Sequence, residues 1–300
     1  MLDYSGKIAG VVICDNQLRY VTAIPKGIGI DVCAVGEFGL SEADDSHFLP
    51  LLGCKCVYGI NRSEYHRKRL YLADDLAASD PEQFMWELSR SSADKIDNYL
   101  YSMLTLKPTD KGIHIECLSI NRRTFRQIGE MFEKRHLTLD KMIFEPEASR
   151  QCIKPLATAD RAVFMQVEKR VTSLQMYRHG HLVSMEVLNA SNGDSDSAAE
   201  TLLDEIGILL MSVFGGRPLK RKVTLLIAGD ASRSSVSESM IQTLPYEFEL
   251  HDFSFEKLKI FPGKLPPQQL HYYFSPLSLC YAYNMSQKCA SSPEKNAVLS

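Results

Sequence analysis

The sequence predicts an α/β protein built as two comparable domains, the first carrying a small α+β insertion. Three observations lead there. A β-meander opens the 300-residue chain, a second begins near Arg161, and a more helical section lies between them. The two meanders share an architecture without sharing a sequence. Each leads into further α/β structure, which is the plan of two layered halves facing each other across a cleft.

The first meander reads "KIAGVVIC", a polar Asp15-Asn16 turn, "LRYVTAI", a glycine-containing break and "IDVCAVGEF". An extended "KCVYGIN" and the basic run His66-Arg67-Lys68-Arg69 follow. Asp80 then caps a helix opened by Pro81, with Phe84, Leu88, Ile96, Leu100, Met103 and Leu104 on its apolar face and Lys107-Pro108 at its end. A strand over "IHIECLSI" leads to Asn121, the cap of a helix in which Phe125, Ile128 and Phe132 recur at helical spacing. This strand and helix belong to the insertion, placed at residues 71–140.

The second meander reads "AVFMQVE", "VTSLQMYR", a His179-Gly180 turn and "HLVSMEVL". A Ser- and Asp-rich loop delivers the chain to a helix from Ala198 to Phe214, stopped by Gly215-Gly216. The nearly continuous apolar run "VTLLIAG" suits a strand covered on both faces. A helix over "SPLSLCYAYNMSQK" and a polar tail, expected to be disordered, complete the chain. The expected domains are 1–158 with its insertion, 159–275, a helix at 276–290 returning to the first domain, and the tail 291–300.

An apolar content of 45% is enough for real cores, and 34 Lys and Arg against 37 Asp and Glu give no general attraction toward nucleic acid or anionic lipid. The first apolar run is too short for a signal-peptide core, and no window approaches the roughly 18–20 apolar residues that span a bilayer. Work at a membrane would therefore need a partner. The eight cysteines, mostly set among apolar residues, suit a reducing cytosol and read as buried thiols. Cys54 and Cys56 form a close pair, but a second pair at zinc-ligand spacing is missing.

The stretches "DPEQFMWELSRSSADKIDNYL", "IECLSINRRTFRQIGEMFEKRHLTLDKMIFEPEASRQC", "LLDEIGILLMSVFGG", "VTLLIAGDAS" and "SPLSLCYAYNMS", in this order, carry a resemblance that covers most of the chain. Together they resemble the PilM family of type IV pilus assembly proteins, actin-like relatives of the cell-division protein FtsA. The cytosolic GspL-type domain of type II secretion is a close relative, although GspL proteins normally continue into a membrane-spanning helix. The resemblance implies an actin-like (RNase H-like) two-domain fold, with Leu137 to Phe144 returning from the insertion and "FEPEAS" starting a helix.

An active member of that fold wraps nucleotide phosphates with backbone N–H groups at a tight turn in each meander, where glycine permits close approach and an Asp sits near the metal or attacking water. The relatives carry Asp-x-Gly at both turns. Aligned on Arg19, this chain has Val12 at the first Asp position and Cys14 at the Gly position. Asp15 would serve only in a shifted register, still without the glycine. The second turn has Gln166 for Asp and Glu168 for Gly, so a carboxylate and a side-chain-bearing backbone would meet the phosphates. A glycine turn under the adenosine survives in part as Gly229-Asp230, a sequence that is also ordinary punctuation after a strand.

These substitutions predict a non-catalytic protein with no cofactor, ATP with magnesium being the candidate the fold would suggest. The resemblance further implies a cytoplasmic scaffold, peripheral at the inner membrane. It would take the short cytosolic tail of a PilN-like, or GspL/GspM-like, inner-membrane protein beside a pilus or secretion motor ATPase. The alternative is a divergent actin-like ATPase. Walker A, "GxSxG" and "HExxH" signatures are absent from the sequence. Gly215-Gly216-Arg217 with Lys220-Arg221-Lys222 lacks Walker spacing, and His179 and His181 read as exposed turn residues. The run His66 to Arg69 reads as a solvated edge or as a receiver for an acidic segment.

Overall fold

A computed structural model describes residues 6–72, 88–90, 96–106, 112–168, 171–189, 196–215, 222–229, 246–250, 254–263 and 265–291. The chain divides into two units, the first comprising Met1–Cys152, Lys259–Leu265 and Ser275–Ser300, the second Ile153–Leu258 and Pro266–Phe274.

In the first unit, β1 (Ile8–Cys14), β2 (Gln17–Lys26) and β3 (Gly29–Gly39) form the antiparallel meander. Asp15 and Asn16, at φ 50° and 63°, make the two-residue connection between β1 and β2. Two consecutive left-handed residues match the right-handed twist of the flanking strands, and Asp and Asn tolerate that conformation best after glycine. β4 (Lys55–Ile60) lies parallel to β1, β8 (Thr138–Phe144) parallel to β4, and the short β14 (Ile260–Phe261) parallel to β3. The sheet order is therefore β14-β3-β2-β1-β4-β8. Of the described cysteines, Cys54, Cys56, Cys117, Cys152 and Cys280 are buried, whereas Cys14 and Cys33 are exposed, contrary to the uniform burial expected. Cys14 is the last residue before the turn, and Cys33 is the extra residue where the β2–β3 register shifts.

The insertion holds a three-stranded antiparallel sheet, β5 (Tyr65–Leu72), β6 (Tyr99–Thr105) and β7 (Ile113–Asn121), in the order β5-β7-β6. It is followed by α1 (Arg122–Glu133), whose N-cap Asn121 accepts the Arg123 N–H at 2.8 Å. The sheet thus begins at Tyr65, and the basic run lies within it. The long helix expected to end at Lys107 is not what Leu100, Met103 and Leu104 form: all three belong to β6. A spacing of four residues satisfies both the 3.6-residue and the 2-residue period. Pairing with β7 decided the outcome, leaving Leu104 buried and Met103, one residue away, 46% exposed. Residues 88–90 are helical, whereas Asp80, Pro81, Phe84, Lys107 and Pro108 lie outside the described residues. After β8, α2 (Glu145–Ile153) starts within "FEPEAS" as expected.

The second unit repeats the topology of the first. β9 (Arg161–Val167), β10 (Val171–Arg178) and β11 (His181–Asn189) form an antiparallel meander, β12 (Lys222–Gly229) lies parallel to β9, and β13 (Glu247–Leu250) flanks it. The order β11-β10-β9-β12 mirrors β3-β2-β1-β4. α3 (Asp196–Phe214) lays Leu203, Ile206, Leu210 and Phe214 on Val163, Met165, Leu174 and Met176, and ends at Gly215, φ 89°. The short α4 (Pro267–Tyr272) completes this unit.

α5 (Phe274–Ser291) brings the chain back to the first unit from Ser275 onward. It lies on β1 at Gly10, where an added Cβ would stand 1.9 Å from the Pro276 carbonyl oxygen. The Gly10 N–H donates to Cys280 Sγ at 3.0 Å, and Sγ–H donates to the Val21 carbonyl at 3.4 Å. Burial pushes that thiol up to about 12, so it stays protonated and able to donate. Residues 292–300, the expected tail, lie outside the described residues, and among the described residues no helix is long and apolar enough to cross a membrane.

Candidate functional site

The first turn is fixed by hairpin register: Val12 faces Arg19 and Cys14 faces Gln17, with Asp15 and Asn16 forming the bend itself. Asp15 is thus a turn residue, and no residue of the bend is glycine. Val12 is 5% exposed and belongs to the core. It occupies the space above Gly59 of β4, its register partner: a Cβ on Gly59 would come within 2.7 Å of Val12 Cγ1, 2.9 Å of Leu279 Cδ1 and 3.2 Å of Glu145 Cγ. Position 12 is therefore a packing position roofed by α5, with a carboxylate-bearing side chain close by. Arg19, the nearest cation in register, is engaged with Glu37 at 3.3 Å.

Beside this strand lies a polar network that periodicity alone does not reveal. Asn61 donates its side-chain amide to the Ile13 carbonyl, and its Oδ1 accepts the Ser63 N–H at 2.9 Å. Glu64 accepts the Asn61 N–H at 2.9 Å and the Tyr58 hydroxyl at 2.6 Å. Burial raises the Glu64 carboxyl and, with the facing Glu64, raises the Tyr58 hydroxyl. The signal was present as Asn61-x-x-Glu64, the capping-box pattern, used here to close a turn without a helix.

At the second turn, Gln166 pairs with Ser173 on one side and Ala228 on the other, and is 7% exposed. Its amide donates to Glu168 Oε1 at 3.4 Å. The Glu168 N–H donates to the Val171 carbonyl at 2.9 Å, so this N–H closes the hairpin instead of pointing at a ligand. Residues 169–170 lie outside the described residues. Gly229 pairs with Val167, so Gln166, Glu168 and Gly229 converge at one end of this sheet. Val12 and Cys14 belong to the other unit. Asp230 lies outside the described residues.

Gly229 has its own structural reason. Its φ is 103°, and an added Cβ would lie 2.0 Å from the Val167 carbonyl oxygen. The Gly229→Ala substitution should destabilise the second unit by about 1–3 kcal/mol, the ordinary range for a strained backbone position, because the strand end can give way. Urea unfolding checks this. Unchanged stability would return the glycine to a ligand role.

The basic run is not a free receiver. Arg69 Nη2 stands 2.5 Å from Glu116 Oε1 and Arg67 Nε 3.8 Å from Oε2, and Glu116 is fully buried. Two of its four members therefore neutralise a carboxylate inside the insertion, the arrangement a buried charge requires. His179 is 63% exposed in its turn, with Nε2 at 3.0 Å from Asp160 Oδ1. Among the described residues no group of three His, Cys, Asp or Glu could hold a metal ion.

No protein-family model matches the chain, and no curated protein matches it in sequence. Solved structures do match. A chain of the PilM-PilN type IV pilus biogenesis complex superposes with a TM-score of 0.68 at 14% identity, covering 95% of this chain and 99% of that one. A Bacteroides thetaiotaomicron protein with an actin-like ATPase fold and unknown function gives 0.53 at 8% identity, over 84% and 94%. The cytoplasmic domain of EpsL, an inner-membrane component of the Vibrio cholerae type II secretion system, gives 0.50 at 9% identity over 95% of each chain.

Proposed function

We propose, from the actin-like fold that these comparisons show, that the chain is a non-catalytic scaffold of a type IV pilus or type II secretion-like assembly. It binds the short cytosolic tail of an inner-membrane, PilN-like protein and is held at the membrane face by that partner. One observation carries the non-catalytic part: both hairpin turns are closed by ordinary sheet contacts, with Val12 packed against Gly59 and Gln166 set between two strands. An anionic triphosphate would meet Glu168 at one turn and find neither glycine nor a free cation at the other. The residues present do not fit a magnesium nucleotide. The likeness to the PilM-PilN complex supports the tail-binding part.

Thermal unfolding with and without 5 mM Mg-ATP tests the first part. The midpoint should stay within about 1 °C. A ligand present at about a hundred times its Kd would stabilise by about 2.7 kcal/mol, several degrees for a chain of this size, and would overturn the reading. Calorimetric titration with a synthetic tail of a PilN-like protein encoded beside this chain tests the second: saturable binding is expected, and none at millimolar peptide counts against it.

A further inference from the structure

We infer that the outward face of the insertion is a second docking surface, built for an acidic, extended peptide segment of a partner protein. Sheet register puts His66, Ser119 and Tyr101 in one row and Lys68, Cys117 and Met103 in the next row on the same face, with Tyr99 and Asn121 beyond. The His66 and Tyr99 rings meet edge to face at 5.9 Å, and the Tyr99 and Tyr101 rings lie 6.3 Å apart. On the central strand Cys117 is buried, whereas on the flanking strands its register partner Met103 is 46% exposed and His66, in the neighbouring row, is exposed. Aromatic rings and a methionine on a rigid sheet give contact area at little cost in conformational freedom, the chemistry that receives proline and aliphatic side chains.

At the Tyr99 end, the surface runs into a depression of about 480 Å³ lined by Asn98, Asn121, Arg122, Arg123, Arg126 and Glu130. Asn121, the register partner of Tyr99, joins the two parts, and Arg122 and Asp97 both act electrostatically on the Tyr101 hydroxyl. Three guanidinium groups face one carboxylate. They stand at the N-terminal end of α1, whose first turn carries no acidic residue, where the helix dipole disfavours cations. Arg122 Nε is spent on the Asp97 carbonyl at 2.7 Å, but among the described residues the Arg123 and Arg126 guanidinium groups form no ion pair. Carboxylates of a bound segment would relieve this charge and engage Arg in forked hydrogen bonds. A peptide fits better than a single-stranded nucleic acid. Tyr99 and Tyr101 tilt by 43° against each other, not the parallel platform on which successive bases stack.

The test is selection of a displayed random 12-residue peptide library on the full chain, with counter-selection on the Arg123→Glu, Arg126→Glu double variant. Both side chains are exposed, so the variant should keep its thermal midpoint. Enriched peptides should combine two or more Asp or Glu with Pro or an aliphatic residue. A synthetic enriched peptide should bind the wild-type chain at least tenfold more tightly than the double variant or Tyr101→Ala, and weaken as salt rises. Absence of enrichment over the variant, peptides without acidic residues, or equal binding to all three proteins would overturn the inference. So would a labelled dT12 oligonucleotide that binds the wild type and is lost from the double variant.

Discussion

Replacing Val12 by Asp, the residue that the resemblance leads one to expect there in an active relative, should destabilise the first unit by about 3–5 kcal/mol, the cost of an uncompensated buried charge. It should not create nucleotide binding. The side chain at this position is 5% exposed and lies over Gly59, with Leu279 and Glu145 completing its surroundings. An aspartate there would lose its hydration and face a second carboxyl-bearing side chain, so its own pKa would rise above the unfolded value. The sign of the pH effect follows: the deficit is fully present above the raised folded pKa and shrinks as pH falls through it toward the unfolded value of about 3.9. Urea unfolding at neutral and mildly acidic pH, with Val12→Asn as the uncharged control, measures it. An unchanged midpoint, together with new stabilisation by Mg-ATP, would mean that the position still belongs to a nucleotide site.

The second large effect is expected at Gly10. Adding a methyl group there places a carbon 1.9 Å from the Pro276 carbonyl oxygen, a backbone atom that cannot step aside as a side-chain tip can. Either α5 lifts from β1 or the middle of the sheet bends. Overpacking of this kind costs typically 1–3 kcal/mol, and a clash with main chain at the centre of a sheet should reach about 3 kcal/mol or more. Gly10→Ala should therefore lower the unfolding midpoint and speed hydrogen exchange along 274–291, while Cys280→Ser, which keeps an acceptor for the Gly10 N–H, should cost less. Equal exchange in wild type and Gly10→Ala would refute the close contact.

The parts of the fold that were legible in sequence are those whose local signals agree with tertiary demand. The Asp15-Asn16 bend needed two left-handed residues and showed them, Asn121 announced α1, and Gly215 announced the end of α3. The reading failed where one spacing serves two periods, as in Leu100 and Leu104, which a strand uses as readily as a helix. It was also partial at the site. The register implied by the resemblance reads Val12 and Gln166 as unsuited to phosphate, but does not say what they do instead. That role depends on Gly59, Leu279, Ala228 and Ser173, which the chain supplies from distant segments. At Gly229 the sequence left two roles open, and the close approach of its backbone to Val167 gives the structural one a physical basis.

The contact between Gly10 and Cys280 joins residues 270 positions apart. On the ribosome, where synthesis proceeds at about 5–20 residues per second, β1 therefore waits on the order of tens of seconds for the helix that seals it. The second unit, apart from its short α4, emerges during that interval and can fold first. Until α5 leaves the exit tunnel, the central strand of the first unit shows water a glycine-notched apolar face. In the cell, that interval is when this protein is most exposed to chaperone capture and to misassociation with other nascent chains.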